Sequence, residues 1–254
     1  MNTFLVDTHT HLCDEVFDAD RAEVLERAQK AGISAVIAVS ETLADAHRNL
    51  ELANIHPLLK PAAGLYPTHL DITQAEATRA LIRQEHHKLW AIGEVGLDYW
   101  KVKDDEGREL QREIFGNFID LSLELDLPLN IHSRSAGRHV IAFLLDHGAK
   151  HVQLHAFDAK ASTALPAVEA GYFFSIPTSI VRSRQKQKLV KHLPLSCLLV
   201  ETDSPVLAPS PQERNEPANI IVAIEAIAEL KNVNKQEVIE TISENTRRLY
   251  GDPT

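Results

Sequence analysis

The feature that most constrains the fold is a rhythm, in which short apolar, β-branched runs alternate with longer segments of helical periodicity along the whole chain. Residues 4–6 open the series. Residues 20–31 carry apolar positions at helical spacing, stop at Gly32, and lead into the apolar run 33–39. That makes one β-α-β unit. The spacing then predicts helix 43–55, strand 60–64, helix 73–87, strand 89–93, helix 109–125 and strand 127–131. Helix 136–147, strand 151–154, helix 163–170, strand 172–176, helix 185–192 and strand 196–200 complete the pattern. The strands read as continuous apolar runs rather than alternating ones, as parallel strands covered by helices should. A closed α/β barrel of the (β/α)8 TIM type is the simplest arrangement for about eight such units. Residues 217–231, with Pro217 in the first turn, give an eighth helix, and residues 235–249 an extra C-terminal one. With no linker or internal repeat in sight, residues 1–254 are expected to form a single domain.

Composition sets limits on function. The hydrophobic share of 44% and charged share of 24% are ordinary for a soluble globular protein. Cys13 and Cys197 lack any metal-ribbon or C-x-x-C spacing and suit a reducing, cytoplasmic setting, where they serve as packing residues. The N-terminus lacks the character of a secretion signal, and no run approaches the ~18 uncharged apolar residues of a membrane helix. A net charge of −10 argues against general coating of nucleic acid, which needs broad neutralisation of phosphates, and leaves room for a local basic cleft. Nothing points to an obligatory protein partner, and a monomer is expected.

The strand ends carry the chemistry. In such a barrel, residues at the C-terminal ends of the strands converge on one mouth. Strand one ends in Val6-Asp7-Thr8-His9-Thr10-His11-Leu12, whose two histidines at i, i+2 share a face about 7 Å apart in an extended chain. Asp7 has the same parity and is expected to hold the spare ring N–H of a histidine. Strand four ends in Glu94, strand five in His132, strand six in His155 and strand eight in Asp203. Each alone has an ordinary explanation as a loop carboxylate, a core histidine or a cap. Together they form a divalent-metal ligand set too large for one catalytic ion, which usually keeps three protein ligands. Two ions are expected, with His9, His11 and Asp203 on one, His132 and His155 on the other, and Glu94 bridging. Glu201 shares parity with Asp203, and is either a third, weaker metal site or a buried acceptor behind the ligands.

The motifs resemble a known family. Val6 to Leu12 as quoted, Ala91-Ile92-Gly93-Glu94-Val95-Gly96-Leu97-Asp98, the LPLNIHSR stretch at 127–134, Leu154-His155-Ala156-Phe157, Glu201-Thr202-Asp203-Ser204-Pro205 and Arg214-Asn215-Glu216-Pro217 are similar to the successive motifs of the TatD-like metal-dependent deoxyribonucleases of the amidohydrolase superfamily. The resemblance spans roughly residues 3–250 and implies a TIM-type barrel with two or three divalent ions that hydrolyses phosphodiesters, usually of DNA and often from the 3′ end. It carries the ligand roles onto His9, His11, Glu94, His132, His155 and Asp203. Two positions depart from the family pattern. Gly64-Leu65-Tyr66-Pro67 has Tyr66 where relatives have a histidine thought to help at the substrate phosphate, with His69 as its only nearby replacement, and Ser135 stands where many have Asp.

Phosphate handling is expected from Arg134, two residues past His132, because a guanidinium makes bidentate phosphate contacts. Arg182 and Arg214 are further candidates, while Lys186 and Lys188 read as a solvated helix face. Tyr66, Tyr99 and Trp100 suit base stacking or lid packing. The expected reaction is metal-assisted hydrolysis with two divalent ions (Zn, Mn or Mg), Asp203 as proton acceptor and Glu94 shared between the ions, acting on single-stranded or frayed 3′ ends of DNA. A metal-dependent amidase or esterase acting on a small molecule is the alternative.

Overall fold

The computed structural model describes residues 3–253. Eight parallel strands follow one another in sequence order around a single sheet. They are β1 (Leu5–Thr10), β2 (Ile33–Ala38), β3 (Leu59–Ala63), β4 (Ala91–Gly96), β5 (Leu129–His132), β6 (Val152–Leu154), β7 (Phe173–Pro177) and β8 (Leu198–Glu201). Just beyond β8 the chain pairs with β1 and closes the ring: Asp203 N–H donates to His9 O (2.9 Å) and His11 N–H to Ser204 O (2.7 Å). The first seven helices, α1 (Arg21–Lys30), α2 (Leu43–Ile55), α3 (Ile72–Glu85), α4 (Asp105–Leu125), α5 (Gly137–Asp146), α6 (Ala161–Glu169) and α7 (Arg184–His192), alternate with the strands. After β8 come α8 (Ile220–Lys231) and the extra α9 (Lys235–Tyr250).

Local chemistry fixes the helix ends. Thr42 caps α2 in a reciprocal pair with Asp45, and Asp104 caps α4 by accepting from Gly107 N (2.7 Å), one turn earlier than periodicity alone suggests. Pro217 to Asn219 form a separate 3-10 turn, so α8 starts three residues later than expected. The main apolar layer lies between sheet and helices: Leu129 and Ile131 of β5, Val152 and Leu154 of β6, and Leu198 and Val200 of β8 all join it. Of the alternate residues, Asn130, His132, Gln153 and Glu201 are buried and polar, and Leu199 packs with Phe173 and Leu249. The strands therefore read as apolar because of their helix-covered face, while the inward face of this half of the barrel is mostly hydrophilic. Cys13 and Cys197 are buried and unpaired, and burial pushes both thiols up to about 12. No helix among the described residues is long and apolar enough to cross a membrane.

Candidate metal centre

Two glycines let the site strands approach closely. A Cβ on Gly93 would lie 2.6 Å from Asn130 Cβ, and one on Gly64 would lie 2.7 Å from the Glu94 carbonyl oxygen. With β3, β4 and β5 drawn together, Glu94 reaches the middle of the barrel mouth. Its Oε2 stands 3.6 Å from His9 Nε2 and 3.5 Å from His11 Nε2, and its Oε1 stands 2.6 Å from His132 Nδ1 and 3.6 Å from His155 Nε2. Asp203, in the left-handed region at φ 57°, places Oδ1 3.5 Å from His9 Nε2 and 3.3 Å from His11 Nε2. Its backbone strain is held by the bond to His9 O that closes the barrel. The rings of His9 and His155 stack at 3.7 Å. All six residues expected as ligands are thus within one cluster, and donor triplets His9–Glu94–His155 and His9–His11–Asp203 each fall within the span of a single ion. Four imidazoles and two buried carboxylates are a donor set that suits a divalent metal.

The electrostatics follow from burial and neighbours. Burial, then His155, pulls His9 down to about 4, so it is neutral at ordinary pH. Burial acts the same way on His11, but Asp203 and Glu94 outweigh it and lift that ring to about 9. On His132, burial is outweighed by hydrogen bonds to Asp98 and Glu94, again giving about 9. Burial opposes ionisation of Glu94 as well, yet the bond to His132 prevails and holds its carboxyl well below the usual range. Asp203 is also held down, against burial, chiefly by His155 and His11.

The supporting residues differ from the expected ones. Asp7 does not sit behind a histidine ring; its carboxylate accepts from Thr202 N (2.8 Å) and Thr202 Oγ1 (2.5 Å), tying β1 to the chain after β8. The β1–β2 register shifts between Asp7 and Thr10, so simple alternation from Asp7 to His9 fails there. Asn130 Oδ1 takes the ring position instead, 2.7 Å from His9 Nδ1. Its spacing of two from His132 on β5 was the signal that could have found it. Asp98 Oδ2 lies 3.1 Å from His132 Nε2, and Glu41 Oε1 lies 3.8 Å from His11 Nδ1 at the mouth. Asp98 was inside a recognised motif, and Glu41 lies just past the end of β2. Glu201 accepts from Ala156 N (2.9 Å) and Ser175 Oγ (2.5 Å) and lies 3.3 Å from His155 Nδ1, the arrangement of an acceptor behind a ligand.

Above the cluster opens a cavity of about 430 Å³, lined by His11, Glu41, Tyr66, Glu94, His132, Arg134, His155, Asp158, Lys186 and Asp203 among others. Of the five expected substrate contacts, Arg134 and Tyr66 face it. The Arg134 guanidinium stacks 3.9 Å over the Trp100 ring, and the Tyr66 hydroxyl lies 3.5 Å from both Asp98 Oδ2 and His132 Nε2. The other three are outside its lining. Arg214 makes two bonds to Asp20 (2.9 and 2.5 Å) and lies over Phe17, which clasps the loop after β8 to the start of α1. Arg182 Nε donates to Ala208 O (3.1 Å), and His69 lies among Leu65, Pro67 and Phe115. Lys186 corrects the reading of a solvated lysine: it is buried, with Nζ donating to Ala156 O (2.6 Å) and Phe157 O (3.3 Å) beside the cavity. Its spacing of three and four from Leu189 and Val190 puts it on the buried face of α7, opposite the exposed Lys188, and was the signal that could have found it.

Comparison with known proteins agrees with this geometry. The Homo sapiens deoxyribonuclease TATDN3 is 42% identical, covering 97% of this chain and 94% of that protein. The uncharacterized metal-dependent hydrolase YabD of Bacillus subtilis is 34% identical, with coverage of 97% and 98%. The crystal structure of YJJV, a TatD homolog from Escherichia coli, superposes with a TM-score of 0.90 at 27% identity over 98% of each chain. Residues 6–251 match the family described as TatD related DNase. The barrel, its cluster of four histidines and two carboxylates, and these likenesses agree: the chain belongs to the TatD related DNase family.

Proposed function

We propose that this protein is a divalent-metal-dependent deoxyribonuclease that removes nucleotides from single-stranded or frayed 3′ ends of DNA. The observation that carries the reading is the placement of Glu94, with one oxygen toward His9 and His11 and the other toward His132 and His155. That is how a carboxylate shared by two ions would sit. His9, His11 and Asp203 would hold one ion and His132 and His155 the other, with zinc or manganese fitting the donors better than magnesium. When bound, such ions polarise the phosphoryl oxygen and acidify water. Glu201 supports His155 from behind rather than holding a third ion, since each of its oxygens already accepts from a protein donor.

The chain's own side chains supply the rest. Asp203, ionised at neutral pH and facing the cavity, accepts the proton of the attacking water. Arg134, its fork held flat on Trp100, grips the scissile phosphate, and Lys186 meets the charge that grows on it. The Tyr66 hydroxyl stands where the family has a histidine and offers one hydrogen bond to the same phosphate. The cavity falls within the ~300–1,000 Å³ typical of small-ligand sites and accommodates one nucleotide. A net charge of −10 provides no track for gripping long duplexes. Ends are therefore preferred to internal sites, and a monomer suffices, since every residue named comes from one chain.

The test uses metal-stripped protein with zinc, manganese or magnesium restored in turn. Substrates are 5′-labelled linear single strands, duplex, closed circles, RNA and a neutral ester. A ladder shortening one nucleotide at a time on linear DNA, dependent on added metal, is the expected result. Rapid nicking of circles would overturn the preference for ends, and hydrolysis of the ester without DNA cleavage would overturn the substrate class.

A further inference from the structure

Below the metal centre, a continuous polar chain crosses the barrel interior and ends on α9. His9 Nδ1 faces Asn130 Oδ1 (2.7 Å), and Asn130 Nδ2 donates to Thr8 O (2.8 Å) and to Tyr250 Oη (3.4 Å). Tyr250 Oη donates to Gln153 Oε1 (2.7 Å), and Gln153 Nε2 donates to Ser175 Oγ (2.9 Å) and Thr8 O (3.3 Å). Ser175 Oγ donates to Glu201 Oε2 (2.5 Å), which faces His155 Nδ1 (3.3 Å). Tyr250, the last residue of α9, also lines an open cavity with Trp90, Pro128 and His151, at the end of the barrel where strands β4 to β6 begin. One tyrosine at the far end thus touches both arms.

We infer that Tyr250 is a positioning residue for the metal centre, its single hydroxyl bracing the two amides, Asn130 and Gln153, that stand behind His9 and His155. A hydroxyl has one hydrogen to give, and here it goes to Gln153 Oε1. The Gln153 amide is thereby held with Nε2 toward Ser175, whose own hydrogen must then go to Glu201. Glu201 accepts, so His155 Nδ1 carries a proton and Nε2 is the nitrogen turned to the cluster, 3.6 Å from Glu94 Oε1. On the other arm Asn130 Nδ2 donates both to Thr8 O and to the Tyr250 oxygen, and the two bonds together keep Oδ1 on His9 Nδ1. His9 Nε2 is then bare toward Glu94 and Asp203. Both histidines present the same nitrogen to the same space. The two amides pass no protons along, because that would require their imidic acid forms, so the chain orients the rings without conducting.

Removal of the hydroxyl leaves Gln153 Oε1 without its donor and free to turn toward Ser175, which would swing the Ser175 hydrogen away from Glu201. The inference rests on the metal-centre reading, so its test includes a measurement on metal-free protein. Long-range ¹⁵N–¹H spectra at neutral pH should show His9 as the Nδ1–H tautomer in both the parent and Tyr250→Phe, where Thr8 O still orients Asn130, with the Nδ1–H exchanging faster with solvent in the variant. Competition with a chromophoric chelator should show zinc bound about tenfold more weakly by Tyr250→Phe, the low end of the range for lost supporting partners. Ser175→Ala, which cuts only the His155 arm, should weaken zinc and leave the His9 spectrum unchanged. Leu249→Ala loosens the packing of α9 next to Tyr250 and should lower Tm with parent-like zinc affinity. A parent His9 protonated on Nε2, parent-like His9 Nδ1–H exchange with undiminished zinc affinity in Tyr250→Phe, or equal zinc loss in Leu249→Ala would each overturn the assignment. If even the parent fails to bind zinc, the metal reading fails, and the His9 spectra still decide the role of Tyr250.

Discussion

Loading the metal-free protein with zinc should expel between about two and three protons at pH 7. His11 and His132 are both lifted to about 9, so each is almost fully protonated at pH 7, whereas His9, at about 4, is already neutral. Burial opposes the charge on His155, but Glu201 and Asp203 raise that ring above the ordinary histidine value, so it gives up part of a third proton. Glu94 and Asp203 are held ionised and contribute none. A ring can offer a lone pair only as neutral imidazole, so one proton must leave each charged histidine. Two pH units at ~1.4 kcal/mol per unit put the cost of each removal from His11 and His132 at about 3 kcal/mol at pH 7. Each displaced proton makes the apparent affinity rise about tenfold per pH unit, and the rise should level off near pH 9, where the histidines lose the proton unaided. Titration calorimetry in two buffers of different ionisation enthalpy reads the proton count directly. In Asp98→Asn, which takes away one of the bonds that keeps His132 charged, the release curve should move to lower pH. The metal-free protein should show the linked effect on stability. A folded pKa raised above the unfolded value of about 6.5 gives stabilisation that is complete below pH 6.5 and lost as pH rises through about 9, so its Tm should fall across that window. Release of less than one proton at pH 7, or a count that stays flat from pH 6.5 to 9, would refute the charge assignment.

Two substitutions test the catalytic roles. Asp203→Asn should keep the fold, checked by circular dichroism, and lower kcat on linear DNA by at least about 100-fold, because an amide accepts no proton and ligates weakly; a parent-like rate would exclude Asp203 as the base. Lys186→Met keeps the length of the stem and removes the charge, and should lower kcat/KM on DNA about tenfold or more while hydrolysis of a neutral ester, if measurable, is little changed; equal losses on both would assign Lys186 to scaffolding alone.

The barrel was legible in the sequence because its helix-covered strand faces are apolar and its helices stop at glycine, caps and proline, all local signals. The ligand residues were legible too, since strand ends in a closed barrel converge whatever lies between them. Parity along one strand found Arg134 beside His132, and would have found Asn130 by the same count. Parity failed at Asp7, because the register shift in β1 is set by the neighbouring strand and leaves no trace in the residues themselves. The fates of Arg182 and Arg214 likewise turned on tertiary contacts, whereas helical spacing already sets Lys186 on the face of Leu189 and Val190. Arg214 is claimed by Asp20 and Arg182 by the carbonyl of Ala208, while Lys186 is turned to the cavity. The path from Tyr250 to the histidines was the least accessible of all. Its members are separated by up to 241 positions, from His9 to Tyr250, and only closure of the barrel over α9 brings their donors and acceptors into line.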